Sequence, residues 1–471
     1  MLLNHIYRNQ LDYASVQTRA SKKELGQYLT NDAVAEFMTQ LINVKGMKHI
    51  RILDAGAGAG ILAIASVLRC IEQGITSIEL DLYEVDEKIT VLLNKHIFLL
   101  KEECFRKHVQ ISVNIIQDDF LLSEIHQTYD ICCINPPYFK CKPDSPYVAA
   151  TSSLYKGCPN IYASFVAKSL SLMKDHGQLV FITPRSFTNG FYFKGFRHYL
   201  LNNASLDRFH IFGSREALFK DSNVLQENII VKAIKTPIQK EHVEISTSGS
   251  MLDLGGISCT NYPKDFLVRK KGNSVILLPE SKEQAKNITA VEKYPCQFQQ
   301  SGYFISTGPI VSYRTSQVMD TLDPVNPSIP LITSHYLNDI RIKKPVKKAQ
   351  YFVLKDDYQK WLTKNSIYVL IKRISSKDDK QRVVVSVTTP CDHDNSEYLA
   401  LENHVNYIGH KERDLELDEA LGIALYLRSE VFEQYFRCVS GSTQINATDI
   451  RTIPIPDLDS LKNMGRKYLS S

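Results

Sequence analysis

No stretch of the chain approaches the roughly 20 apolar residues that cross a membrane as a helix. The N-terminus, Met-Leu-Leu-Asn-His, also lacks the charged-then-apolar pattern of a secretory leader. Both absences lead to the expectation of a soluble, cytoplasmic protein with no membrane partner. Ten cysteines include no C-x-x-C pair, which removes the usual spacing of a zinc or redox motif. Cys132 and Cys133 are neighbours in an apolar run, so they read as reduced core residues rather than disulfide partners. The cluster Cys391-Asp392-His393-Asp394 lies among loop-like residues and is read as solvated, so no metal is expected. A formal charge of +5 suits a polyanion only where the basic residues gather. There is no internal repeat and no low-complexity tract, and 471 residues exceed one ordinary domain.

Even the glycine-rich stretch lacks one residue. Gly56-Ala57-Gly58-Ala59-Gly60 is followed by Ile61, where G-x-G-x-x-G requires glycine, which argues against a nicotinamide dinucleotide. What is present is a short buried strand, Arg51 to Asp54, that ends in an acid and leads through those small residues into the apolar helix starting at Ile61. Small residues there let a ligand lie against the backbone at a helix N-terminus. A second strand, Ser77 to Tyr83, ends at Glu84, placed to accept hydrogen bonds from ribose hydroxyls. A third, near Val113 to Ile116, ends at Asp118-Asp119-Phe120, where a carboxylate can meet the adenine amine of a cofactor. Three acids at three successive strand ends outline one crevice.

Asn135-Pro136-Pro137-Tyr138 follows the apolar run Ile131-Cys132-Cys133-Ile134, at another expected strand end. Proline has a carbonyl but no N–H. The Asn135 side-chain oxygen and the Pro136 carbonyl therefore present two acceptors without a competing donor from Pro136. Two acceptors suit a planar NH₂ group whose lone pair is delocalised: holding both hydrogens helps the nitrogen to pyramidalise and become a nucleophile. Tyr138 is expected to offer an aromatic face to a flat substrate.

In this order along the chain, these residues resemble the S-adenosylmethionine-dependent DNA adenine methyltransferases of the gamma-type motif order. In that group the cofactor motifs precede the catalytic motif, and a target-recognition domain follows both. The resemblance implies that Leu25 to Thr30, with Tyr28 and Thr30, is the N-terminal cofactor motif. It also makes Asp54, Gly56 and Gly58 part of the cofactor loop, Glu84 the ribose contact, and Asp118 or Asp119 the adenine contact. Asn135 to Tyr138 matches the catalytic motif, and Ala217 to Lys220 the segment whose aromatic, Phe219, packs on a flipped adenine. Asp54 stands where some members have glutamate, and the loop is richer in alanine than the usual pattern.

Strand and helix patterns alternate to about Lys235: helices near Ile161 to Lys174 and Phe193 to Leu201, strands near Gln178 to Thr183, Asp207 to Phe212 and Val224 to Ile234. Pro237 marks an expected boundary, giving a catalytic domain over 1–236 and a recognition domain over 237–471. Beyond it lie short alternating segments and one long helical candidate, Leu415 to Arg437. Segments there, Lys372 to Lys377 with Arg382 and Phe436 to Asp449, resemble the recognition domains of PstI and BsuBI type restriction–modification methyltransferases. Arg373, Lys377 and Arg382 are candidates for phosphate or guanine contacts, and Gln444 and Asn446 for a base edge or for ordering their loop.

The expected fold is α/β, a Rossmann-like methyltransferase sheet with helices on both faces and a C-terminal mixed α+β recognition domain. The expected activity is methyl transfer from S-adenosylmethionine to the N6 amine of an adenine flipped from duplex DNA, in a restriction–modification system with a separate cognate endonuclease. A protein glutamine methyltransferase also uses Asn-Pro-Pro-Tyr, but leaves the half-chain after Pro237 unexplained. A non-catalytic DNA specificity subunit has no need of Asp54, Glu84 and Asn135.

Overall fold

The computed structural model describes residues 2–15, 30–157, 159–213, 227–250, 254, 256–269, 274–320, 327–343, 350–354, 358–375, 379–393, 396–441 and 443–471. Tyr28, Phe219 and Lys377 fall outside them, with the rest of the Leu25 to Leu29 and Ala217 to Lys220 segments. The chain divides into two units, Met1–Glu280 and Ser281–Ser471.

The first unit is built on a nine-stranded sheet. Its strands are β1 (His49–Asp54), β2 (Ser77–Tyr83), β3 (Gln110–Ile116), β4 (Tyr129–Ile134), β5 (Met173–Pro184), β6 (Ala204–Phe212), β7 (Asn228–Lys235), β8 (His242–Ser248) and β9 (Ser258–Pro263). They lie in the order β3-β2-β1-β4-β5-β7-β6-β8-β9. β1 to β5 pair parallel, and β7 runs antiparallel between β5 and β6. The order reverses between β1 and β4, and at such a switch point the strand ends diverge into a crevice. Asp54 ends the first of these two strands and Asn135 follows the second.

The helices of this unit are α1 (Leu2–Ser15), α2 (Asp32–Gln40), α3 (Ile61–Glu72), α4 (Glu87–Arg106), α5 (Pro146–Ala150), α6 (Ile161–Ser171) and α7 (Lys194–Asn203). Their starts carry side-chain caps where the sequence supplies them: Asn31 for α2, Asp86 for α4, Ser145 for α5 and Asn160 for α6. α3 has no such cap and begins at Gly60 in the left-handed region. It is buried from Ile61 to Val67 because it packs against β1, β2 and β4 on one side and α2 on the other.

The expected doubly wound sheet is present, with differences at its margins. β5 starts at Met173, because a bulge at residues 174–177, with His176 at φ 63°, hides its polar first turn from period-two alternation. The sheet also continues past Pro237. β8 pairs parallel with β6 and buries Val243 and Ile245, so the first unit ends at Glu280 rather than at residue 236.

The second unit is mixed α+β. A four-stranded antiparallel sheet orders Tyr303–Thr307, Val405–His410, Tyr368–Lys372 and Val385–Thr388, and a separate five-stranded mixed sheet includes Ser328–Ile332 and Tyr398–Leu401. The long helix expected over Leu415 to Arg437 is two helices, Leu417–Arg428 and Glu430–Val439. Ser429 divides them: its backbone is extended (φ −65°, ψ 147°), and its side chain accepts from Phe432 N–H as the N-cap of the second. Leu417–Arg428 also lies backbone to backbone on Leu458–Ser470, where a Cβ at Gly422 would overlap the Leu461 carbonyl and one at Gly465 the Asp418 carbonyl.

Candidate active site

At the end of β1, Asp54 is 2% exposed. Its Oδ1 lies 3.5 Å from Gly56 N, and its Oδ2 is buried with no hydrogen-bond partner. Burial pushes this carboxyl up to about 7, with the charge of Glu84 acting in the same direction. Gly58 (φ 53°) and Gly60 (φ 88°) hold the following loop in a conformation that side chains rarely adopt, and a Cβ on Gly60 would meet Leu93 at 2.7 Å. Glu84 braces the loop from the end of β2: its Oε2 accepts from Gly58 N at 2.7 Å and its Oε1 from Asp86 N at 3.0 Å. Burial raises the Glu84 carboxyl despite these bonds.

Asp118 and Asp119 part company after β3. Asp118 is exposed and bonds Ser123 Oγ at 2.8 Å. Asp119 is half-buried; its Oδ1 accepts from Leu121 N and its Oδ2 from Tyr147 Oη, each at 2.9 Å. Phe120 is buried between Tyr83 and Phe165, with ring centroids 5.4 Å apart in each pair.

Two residues that secure this crevice were not singled out from sequence. Lys168 on α6 donates to the carbonyls of Phe120 (2.6 Å), Leu121 (3.1 Å) and Ser123 (2.6 Å), tying down the loop that carries Asp119. A lysine on the otherwise apolar Ile161 to Leu170 face was the available sign. His96 Nδ1 lies 2.7 Å from the Ala59 carbonyl, and burial lowers its pKa, so the neutral ring braces the glycine loop.

After β4, Asn135 Nδ2 donates to Thr30 Oγ1 at 3.0 Å, while Asn135 Oδ1 accepts from Tyr138 Oη at 2.6 Å. The Tyr138 hydroxyl also lies 2.9 Å from the Ile182 carbonyl. It has one hydrogen for two acceptors, so Asn135 Oδ1 and the Ile182 carbonyl share it. Thr30 thus meets Asn135 directly, joining the N-terminal candidate motif to the Asn-Pro-Pro-Tyr segment. Tyr138 itself departs from expectation. It is 6% exposed and edge-on to Tyr162 at 6.1 Å, so the aromatic face expected to be open is covered in this structure. Pro136 is buried and Pro137 half-buried beside it.

A family model described as Eco57I restriction-modification methylase matches residues 69–219. Over 466 residues the chain is 34% identical to the type II methyltransferase M.BsuBI of Bacillus subtilis, covering 95% of this chain and 90% of that protein. The chain belongs to the type II methyltransferases of restriction–modification systems. It is 31% identical over 458 residues to M.PstI of Providencia stuartii, again covering 95% and 90%. The fold resembles that of the type IIL restriction-modification enzyme MmeI, solved in complex with DNA (TM-score 0.61, 10% identity, 98% of this chain and 70% of that one). Its sheet is accordingly a Rossmann-like methyltransferase sheet.

In the second unit of this methyltransferase, two candidates come together and two take internal roles. Arg373 and Gln444 lie on adjoining segments, linked by Ile445 N to Arg373 O at 2.8 Å and Ser375 N to Thr443 O at 3.0 Å. Arg373 is half-buried and donates from one guanidinium nitrogen to the Asn403 carbonyl at 3.0 Å. Arg382, expected at a DNA surface, is instead 1% exposed. Its Nε reaches Ser375 Oγ at 3.2 Å, its guanidinium lies 5.9 Å from the Phe436 ring centroid, and its backbone N–H binds the Glu433 carboxylate. Asn446 caps the helix Ala447–Arg451 in a reciprocal box with Asp449, so the loop-ordering alternative describes it. Among the described residues no group of three or more His, Cys, Asp or Glu is placed to hold a metal, and no helix is long and apolar enough to cross a membrane.

Proposed function

We propose that this methyltransferase is a site-specific DNA adenine methyltransferase that uses S-adenosylmethionine and acts on the N6 amine of an adenine turned out of duplex DNA. The observation that carries this reading is the pairing of β1 with β4 across the switch point. It sets the end of the strand that carries Asp54 beside the strand end that bears Asn135 and Pro136, which supports a crevice lined by Asp54, Glu84 and Asp119.

The residues fit the cofactor. Asp54 Oδ2, buried and without a hydrogen-bond partner, suits the cationic amino group of its amino-acid moiety, and the glycine loop, held by the positive φ of Gly58 and Gly60, brings backbone to the start of the helix at Ile61 where a ligand can lie against it. Glu84, already fixed by two backbone N–H groups, is poised for ribose hydroxyls. Half-buried Asp119 is better placed than exposed Asp118 for the cofactor's adenine amine. When bound, S-adenosylmethionine supplies an electrophilic methyl group.

Asn135 Oδ1 and the Pro136 carbonyl accept the two hydrogens of the target amine, drawing its lone pair out of the ring. Thr30 holds the other end of the Asn135 amide, and the Ile182 carbonyl is a second acceptor within reach of the Tyr138 hydroxyl. These acceptors act most strongly as the nitrogen becomes tetrahedral, so they stabilise the transition state more than the bound base. A strong general base is unnecessary, because methyl transfer lowers the pKa of the departing proton. Phe219 and Tyr138 are the proposed ring contacts, and Tyr138 must then be uncovered as the base enters.

The test is methyl-labelled cofactor supplied with plasmid DNA and, separately, with a release-factor protein. Label is expected in DNA as N6-methyladenine at one sequence, with none in the protein; the reverse would establish the glutamine methyltransferase alternative. Asn135→Ala should reduce transfer at least a thousandfold while leaving cofactor and DNA affinity within about threefold. The reading implies a separate endonuclease that cuts the same unmethylated sequence.

A further inference from the structure

Beyond β5 the chain makes the short turn Arg185–Thr188, and between it and α7 stand Phe191 and Tyr192, 51% and 78% exposed. Single exposed apolar residues are ordinary. This pair is different because a built support holds it out. Gly190 N donates to Ser186 O at 3.0 Å, and Phe193 N donates to Gly190 O at 3.1 Å. The buried Arg197 guanidinium donates to the carbonyls of Phe187 (2.8 Å) and Gly190 (2.6 Å), fixing both sides of the turn from below. Phe187 and Phe196 on either side are buried, so the chain has an apolar interior available here and still directs Phe191 and Tyr192 to water.

The tip is also tied to the reaction centre. β5 runs parallel beside β4, so the tip and the Asn-Pro-Pro-Tyr segment leave the same edge of the sheet. Phe193 stacks on Tyr162 with centroids 5.4 Å apart, and Tyr162 meets Tyr138 edge-on. The exposed charges of the two segments that leave this edge have one dominant sign. Residues 139–157 and 185–198 expose Lys140, Lys142, Lys156 and Lys194 against a single carboxylate, Asp144. Lys156 is held near the tip, since its carbonyl closes against Gly195, where a Cβ would overlap it. An aromatic pair on a rigid turn, with Lys156 and Lys194 close to it along the chain and in the fold and beside a site that must receive an unstacked base, matches the chemistry of a side-chain wedge in a nucleic-acid duplex.

We propose that Phe191 and Tyr192 form a wedge that enters the base stack of duplex DNA beside the target and holds the gap open while the adenine is in the site. This inference rests on the adenine methyltransferase reading. A wedge offsets the cost of unstacking and unpairing, so its value disappears when the target has no partner.

The experiment compares full-length wild type with Phe191→Ala/Tyr192→Ala on two duplexes that differ only opposite the target adenine, one with thymine and one with an abasic position. On the paired duplex the double variant should lose at least tenfold in kcat/KM, and a 2-aminopurine at the target should fail to brighten as it does with wild type. On the abasic duplex it should stay within threefold of wild type. Rescue by an unpaired target cannot come from misfolding, and cofactor affinity measured by calorimetry should be unchanged. Tyr192→Trp, which keeps an aromatic wedge, should retain wild-type rates on both duplexes. Equal losses on the two duplexes, no loss on either, or a Tyr192→Trp loss as large as that of the double variant would overturn the wedge. Absence of transfer to either duplex by wild type would instead overturn the reading on which it rests.

Discussion

Replacing Thr30 by valine keeps its shape and removes the hydroxyl that accepts from Asn135 Nδ2 at 3.0 Å. Two roles for Thr30 then separate. As a member of an N-terminal cofactor motif it would contact the cofactor, and its loss would weaken cofactor affinity. As the residue that holds the Asn135 amide, its loss would leave affinity alone and let the catalytic acceptor rotate. Asn135 is half-buried, so water can partly satisfy the released N–H, and the penalty should stay near a net hydrogen bond rather than a sealed orphan. That is about 0.5–1.5 kcal/mol, and because about 1.4 kcal/mol is tenfold, the expected fall in kcat is roughly 2- to 13-fold. Single-turnover methyl transfer at saturating cofactor, with calorimetric cofactor affinity beside it, reads both quantities. Thr30→Ser should restore the rate. A large loss of cofactor affinity with an unchanged single-turnover rate would refute the positioning role.

Four further outcomes are expected. Asp54, pushed up to about 7 by burial, lies above the about 3.9 of an unfolded aspartate. In the free protein its stabilising contribution is therefore complete below about pH 4 and is lost as pH rises toward 7. A cationic amino group selects the ionised form, so cofactor affinity should rise by up to about tenfold from pH 6 to 8, and Asp54→Asn should flatten the profile; a flat wild-type profile would contradict this. Glu84→Ala should weaken cofactor binding by about 1.5–3 kcal/mol through lost charge-assisted bonds, with unaltered calorimetric affinity the contrary result. Arg382→Ala should lower stability in chemical denaturation by about 2–3 kcal/mol, from its buried hydrogen bond and ring contact, without a selective effect on cognate DNA. Arg373→Ala should weaken DNA binding with little change in stability, and unchanged DNA affinity would show that Arg373 does not contact DNA.

The strand-end residues were legible because their signal is local: a buried apolar run ends, and an acid or Asn-Pro-Pro follows within a few positions. Asp54, Glu84 and Asn135 are of this kind, and the structure sets them at the ends of adjacent parallel strands. What was missed depended on partners far away in sequence. Arg382 looks like one more cation in a basic run until Glu433, 51 residues on, takes its backbone N–H. β8 becomes part of the first sheet only through its pairing with β6, which alternation does not reveal. Lys168 has three carbonyl partners in the loop after Phe120, some 45 residues earlier. Asn446 is the exception, because its spacing from Asp449 is that of a capping box and was readable on the page. Ser429 was likewise readable as a cap inside an apparently continuous helix, but a helical pattern on both sides concealed it.

The parallel pairing of Ile52 with Ile131 and Leu53 with Cys132 has one more consequence. On the proposed reading, it makes the separation between the methyl-donor side of the crevice and the amine acceptor a property of the sheet's ruler, about 4.8 Å from strand to strand, rather than of any loop. Loops that choose or open a substrate can therefore lengthen, shorten or change residues while the reacting atoms keep their spacing. A substitution that thickens the β1–β4 seam has no such freedom, because it moves donor and acceptor together with the core that holds them.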